Sequence, residues 1–137
     1  MKRLSQHYKL IALSNVDHAT LKGTLSVLGG KPFDTCYIAE DIGTYKPHHN
    51  NFKYLLSHMK EDFGVEQNEL CHVAQSLRVD HAATKPMGIR SVWIDRYDVL
   101  GASGKTPEEM QEDYGYKLRV RSLKEVADIV DQAFSKQ

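Results

Sequence analysis

Short apolar runs alternate along the chain with longer stretches in which apolar residues recur at helical spacing. Lys9-Leu10-Ile11-Ala12-Leu13 ends at Ser14-Asn15 and predicts a buried strand. From Asp17 to Leu28, Ala19, Leu21, Leu25 and Leu28 fall on a helical repeat, which Gly29-Gly30 stops as a left-handed C-cap does. Thr35-Cys36-Tyr37-Ile38-Ala39, β-branched and aromatic, predicts a second strand. A loop over residues 40–47 then leads to a helix over about His48 to Phe63. Its stripe is Phe52, Leu55, Leu56, Met59 and Phe63, with Gly64 as its stop.

Leu70-Cys71-His72-Val73-Ala74-Gln75 predicts the third strand, and a short helix over about Asp80 to Met87 follows it. Pro86 marks the end of that helix and Gly88 its cap. Ile89 to Asp95 predicts the fourth strand. Tyr97 to Gly115 is the least apolar stretch, a long excursion holding one short helix at the capping box Thr106-Pro107-Glu108-Glu109. Tyr116 to Val120 predicts a last short strand. Ser122-Leu123-Lys124-Glu125 opens a final helix with Val126, Ile129, Val130 and Phe134 on one face. No internal repeat or low-complexity segment interrupts the alternation.

This order implies parallel βαβ units, an α/β Rossmann-like sheet of four to five strands flanked by helices. Ligands of such sheets bind outside the carboxyl ends of the strands, so the polar residues there are the candidate chemistry. They are Ser14, Asn15, Asp17 and His18 after the first strand, and Glu40 and Asp41 after the second. Gln75, Ser76, Arg78, Asp80 and His81 follow the third, and Asp95 and Arg96 the fourth, with Lys46 on a loop that reaches the same edge.

Composition narrows the classes. The 137 residues, 41% hydrophobic and 26% charged, match one ordinary globular domain and argue against a disordered chain. Eighteen Lys and Arg balance eighteen Asp and Glu, so no electrostatic footprint points to nucleic acid or an acidic membrane surface. No apolar run approaches the ~20 residues of a membrane span, and no apolar segment follows the charged start as a secretory signal requires. The two cysteines, Cys36 and Cys71, fall in apolar runs and read as buried thiols of a reducing, cytoplasmic compartment; a disulfide is the competing reading.

Several segments together resemble the haloacid dehalogenase superfamily: Leu13-Ser14-Asn15, Tyr45-Lys46-Pro47, His72-Val73-Ala74-Gln75-Ser76-Leu77 with Asp80, Gly88, and Val92-Trp93-Ile94-Asp95-Arg96. Within it, these segments look like the type II 2-haloacid dehalogenase branch in its fungal form. The resemblance covers about residues 9 to 96, and Tyr116 to Phe134 is similar to that family's C-terminal strand and helix. It implies a single core domain over 1–137. In the family a nucleophilic aspartate, in an Asp-x-Asp-x-Thr motif, sits on the first strand and a helical cap follows. Neither is expected here, because the chain opens just before the Ser-Asn strand and contains no such motif. The resembled nucleophile strand lies between the strand of Ser14-Asn15 and the strand before Asp80.

By the same resemblance, Ser14 and Asn15 bind a substrate carboxylate or phosphoryl oxygen, with Ser76 beside them in the later motif loop. The competing reading of Ser14 and Asn15 is a local cap at the next helix. Lys46 offsets charge on the nucleophile and transition state, or is a solvated loop lysine. Asp80 matches the acid that helps hold Mg²⁺ in the phosphatase branches. One carboxylate is a poor Mg²⁺ site, so no metal and no other cofactor is expected. His48-His49 stand where relatives more often have Asp-Pro, Val79 where fungal relatives often have His, and Phe52 where other dehalogenases carry a hydroxyl-bearing Tyr. His18 and His81, beside Asp17 and Asp80 at the predicted edge, are the leading proton-transfer histidines, and a polar cap residue is the competing reading for each. His72, alternating with Cys71 and Val73, reads as packed rather than catalytic.

Two functions follow as expectations. One is a dehalogenase-like protein without the usual hydrolysis, doing acid–base chemistry such as isomerisation, elimination or ring closure on a small organic acid. The other is a non-catalytic binding module or part of a longer hydrolase. A gap at the centre of the sheet also implies a homodimer or higher oligomer closed across the sheet edge or the adjacent helices, because unpaired buried backbone groups are costly.

Overall fold

In the computed structural model, which describes residues 1–137, five strands alternate with seven helices and every strand pair is parallel. A turn of 3-10 helix at Leu4–Gln6 precedes β1 (Ile11–Ser14). The helix α1 (His18–Val27) follows, its N-cap Asp17 accepting from the Thr20 N–H at 2.7 Å. The stop is built as expected, with Gly29 and Gly30 at φ of 82° and 109°, a region where a Cβ is strained. Next comes β2 (Thr35–Ile38), paired to β1 from Ile11↔Thr35 to Ser14↔Ile38.

The expected loop at residues 40–47 overlaps one helical turn, α2 (Ala39–Ile42), too short to leave a periodic signal. The long helix α3 (His49–Phe63) buries Asn51, Phe52, Leu55 and Met59. Beyond it, β3 (Cys71–Ala74) leads into a π-helical turn at Leu77–His81 and the short α4 (Ala82–Thr84), where the sequence predicts one regular helix. The Ser76 hydroxyl oxygen accepts from the Val79 N–H at 3.1 Å, and the Ser76 carbonyl accepts from both Asp80 and His81. Those bonds widen the first turn.

β4 (Arg90–Ile94) is followed by an excursion that holds two helices rather than one, α5 (Val99–Ser103) and α6 (Pro107–Tyr114). The extra helix exists because the buried Asp95 carboxylate accepts from the Val99 and Leu100 N–H groups at 2.7 and 3.2 Å. The Thr106 capping box opens α6 as its sequence implies. Last come β5 (Leu118–Val120) and α7 (Leu123–Ser135).

The strands do not form one sheet. Their order is β1-β2 in one pair and β3-β4-β5 in another group, and β1 is not bonded to β3. The helix α3 backs both groups: Phe52 and Leu55 pack with Tyr37 of β2, with Ile11 and Leu13 of β1, and with Ile89 and Leu70 on the far side. A second core joins Ile94, Val120, Val126 and Ala127 to Leu4, and a third surrounds Trp93 with Leu100, Met110 and Tyr116. Leu4 belongs to the second core because Arg3 reaches Asp128 and Asp131 of α7, so the polar start of the chain is pinned to the last helix. Both cysteines are free, but the expectation that both are buried is corrected: Cys36 is half-buried and Cys71 exposed, because Cys71 opens its strand at the sheet's open border.

Candidate active site

Three chain segments converge beyond the carboxyl ends of β1 and β3. Asn15, just past β1, clasps the backbone of Lys46: its side-chain N–H₂ donates to the Lys46 carbonyl at 3.0 Å, and its amide oxygen accepts from the Lys46 N–H at 2.7 Å. That pair of hydrogen bonds fixes the loop after α2, which Asn51 also ties down through the Thr44 carbonyl at 2.7 Å. Lys46 Nζ then donates to Asp80 Oδ1 at 2.6 Å, with both side chains almost covered, 11% and 7% exposed. His72 Nε2 donates to the same oxygen at 2.9 Å from the middle of β3.

The electrostatics follow from that geometry. Burial favours the neutral form of Asp80, but the His72 hydrogen bond and the Lys46 charge outweigh it and hold the carboxyl below its ordinary value. Asp80 is thus an anion at neutral pH and the partner that keeps an ammonium group in a largely covered place. Its other oxygen, Oδ2, has no protein donor. Lys46 has three N–H donors and spends one of them on Asp80. The edge of Phe52 meets the His72 ring, centroids 5.4 Å apart, and fixes the imidazole from α3.

The site residues read from the sequence divide into two sets. Lys46, Asp80 and Asn15 come together, Ser14 lies half-buried at the end of β1, and Ser76 shapes the turn that presents Asp80. His18 and His81 do not join them. His18 is exposed at the start of α1, its Nε2 2.7 Å from Asp41 and its backbone N–H donating to Glu40 at 2.6 Å; the hydrogen bond to Asp41 raises its pKa. His81 is fully buried with both ring nitrogens engaged, Nε2 donating to the Ala74 carbonyl and Nδ1 accepting from the Ser91 hydroxyl, each at 2.9 Å. Burial lowers its pKa and keeps it neutral. It fastens the π turn to β3 and β4.

His72 is the residue that sequence reasoning passed over. Its alternation with Cys71 and Val73 marks it as inward-facing, which is correct, but inward on this strand also means toward Asp80. An inward histidine eight residues ahead of a motif carboxylate was the available signal.

No three His, Cys, Asp or Glu side chains converge anywhere in the chain as a metal site would require. At the Lys46 cluster the donor set is one carboxylate, already holding an ammonium and an imidazole on one oxygen, which does not fit the oxygen-rich octahedron that Mg²⁺ demands. Asp95 is no second ligand, being engaged by the Val99 and Leu100 N–H groups at the start of α5 and by Arg119 at 2.8 Å. No helix is long and apolar enough to cross a membrane.

No family model and no curated protein matches the chain. Solved structures do. The HAD-hydrolase YfnB from Bacillus subtilis, a structure with bound magnesium, is similar over 95% of this chain at 20% identity and a TM-score of 0.73. A HAD phosphatase from Thermococcus onnurineus is similar over 94% at 27% identity and 0.68, and the L-2-haloacid dehalogenase from Xanthobacter autotrophicus over 95% at 19% identity and 0.69. The chain spans about half the length of these structures, 51%, 54% and 57% of them in turn. Its fold is the haloacid dehalogenase-like α/β core.

Proposed function

We propose that this chain, built on the haloacid dehalogenase-like core, holds a site for a small organic acid at the carboxyl ends of β1 and β3. The observation that supports it most is Lys46: its backbone is clasped by Asn15, its ammonium group is held beside Asp80 under cover, and donors remain for an anionic group. A carboxylate bound to Lys46 would lie beside the Asp80 carboxylate, whose Oδ2 accepts from no protein donor. Asp80 is the carboxylate beside Lys46, and its unoccupied Oδ2 supports proton transfer as the reaction type. Isomerisation or elimination on a short hydroxy or halo acid is the matching reaction class.

Calorimetric titration of the chain with lactate, 2-chloropropionate and phosphate tests the binding step. Tight binding of a carboxylate that Lys46→Met removes is expected. Exchange of the α-proton in heavy water, followed by NMR, tests the chemistry, and Asp80→Asn is expected to abolish it. Halide or phosphate release by the isolated chain, lost in Lys46→Ala or Asp80→Asn, overturns the non-hydrolytic reading. Binding without exchange supports the alternative of a ligand-binding module.

A further inference from the structure

A second concave place lies at the amino ends of β1 and β2, the opposite end of that strand pair from Lys46. Gly29 and Gly30, at φ of 82° and 109°, reverse the chain where α1 ends. The reversal sets Lys31-Pro32-Phe33 across a cleft of about 430 Å³ from Lys2 and Ser5, with Leu28 on its wall. Ser5 fixes its own side by donating its hydroxyl to the Lys2 carbonyl at 2.8 Å. Pro32 and Phe33 are half-buried, and Leu28 is 48% exposed. Asp34 also borders the cleft, but its carboxylate is already engaged: Oδ2 accepts from the Leu10 N–H at 2.7 Å, and Oδ1 lies 3.8 Å from Lys9 Nζ. Lys2 and Lys31 are exposed and make no ion pair. The local charge is one-sided in a chain whose charges balance overall. Residues 1–33 carry Lys2, Arg3, Lys9, Lys22 and Lys31 against Asp17 alone, and Asp17 caps the far end of α1.

We propose that this cleft binds a linear amphipathic carboxylate, a medium-chain fatty acid, with its head between Lys2 and Lys31 and its tail along Leu28, Pro32 and Phe33. The head is assigned by charge complementarity: each ammonium brings three N–H donors, and no protein carboxylate spends them. The tail is assigned by the wall, because a bare anion such as acetate would leave Leu28 and Phe33 uncovered. The size agrees, since small-molecule sites run from about 300 to 1,000 Å³ and this one lies near the lower end. The position has a consequence for the fold. The helix α1 buries none of its residues, and a tail lying on Leu28 covers its last turn. Ligand that binds only the folded chain then steadies the loosest helix of the molecule.

The probe is decanoate, titrated calorimetrically into the full chain below its micelle concentration, with amide NMR shifts to locate it. Saturable binding is expected, with shifts centred on Leu28, Gly29, Lys31 and Phe33. From hexanoate to decanoate each added methylene should tighten binding about two- to fourfold. Lys31→Glu should weaken decanoate by about tenfold or more, while Lys31→Arg keeps it, which guards against a merely unfolded variant. Leu28→Asp, at an exposed position, should weaken it as well. Amide exchange in α1 should slow by about threefold or more at saturation. Decanol binding as tightly as decanoate, an affinity that ignores tail length, or shifts spread over the whole chain each overturns the inference. So does binding lost in Lys46→Met and kept in Lys31→Glu, which assigns decanoate to the other end of the strands. Sedimentation with phosphatidylglycerol vesicles without binding of free decanoate marks a membrane contact instead and overturns it too. Each of these failures leaves the acid site proposed at Lys46 standing.

Discussion

The unit β1–α1–β2 and the group β3–β4–β5 are written in the same alternating pattern, yet they are packed very differently. The helix α1 buries none of its residues: Leu21 and Leu25 are half-covered, and Val27 and Leu28 lie 88% and 48% exposed. On the other side, α7 buries Val126 and Ala127 against Ile94 and Val120, while α5 and α6 close Leu100 and Met110 over Trp93. Helix propensity and caps are adequate in both regions, so the contrast is one of tertiary cover. Most helical stability comes from packing an apolar face, and α1 has only part of a surface to pack against. A broken sheet leaves its smaller piece dependent on α3.

The largest effect that can break this comparison is Trp93→Ala. The indole is 1% exposed and its Nε1 donates to the Gln75 carbonyl at 3.0 Å, so its loss should cost about 3–5 kcal/mol, read from urea unfolding. An equal loss from Leu21→Ala in α1 would erase the distinction. Next, Lys46→Met leaves the buried Asp80 with His72 alone, and a loss of about 1–3 kcal/mol is expected in the same measurement. Asp80→Asn should recover part of that loss in the double variant, because no unpaired charge then stays covered.

The two site-candidate histidines sharpen the comparison by sign. His81, buried in the larger group, has its pKa lowered by burial, so the unfolded chain takes up the proton first. Its contribution is present above the ordinary histidine value of about 6.5 and is lost as pH falls below it. His18 is raised by its bond to Asp41, so its contribution is present below that value and lost as pH rises through the folded one. Melting temperatures between pH 5 and 8 should fall toward acid in the parent chain. His81→Gln should flatten that fall, and His18→Gln, which removes a contribution present toward acid, should slightly steepen it. A parent chain whose stability is flat across this range contradicts the His81 environment. The smallest effect is Leu21→Ala, expected within about 0.5–1 kcal/mol, with faster amide exchange in α1 than in β4 already in the parent.

The sequence by itself determined the element order, the parallel α/β class, and the caps at Thr106 and Ser122, because each is a local decision made within one turn or one strand. It also brought out Asn15, Lys46 and Asp80, since carboxyl ends of parallel strands must lie on one edge. It did not decide which histidine meets Asp80. His18, His72 and His81 all carry plausible local signals, and only the direction of each side chain in the packed fold separates an exposed ring, a ring on the carboxylate and a saturated one. Nor did the pattern reveal α5, whose first N–H groups are satisfied by Asp95 from the preceding strand's end and by its N-cap Asp98. The split of the strands into two groups was likewise a tertiary outcome. A strand's periodicity says which faces are buried, whereas its hydrogen-bonding edges run at right angles to those faces and leave no mark on the sequence.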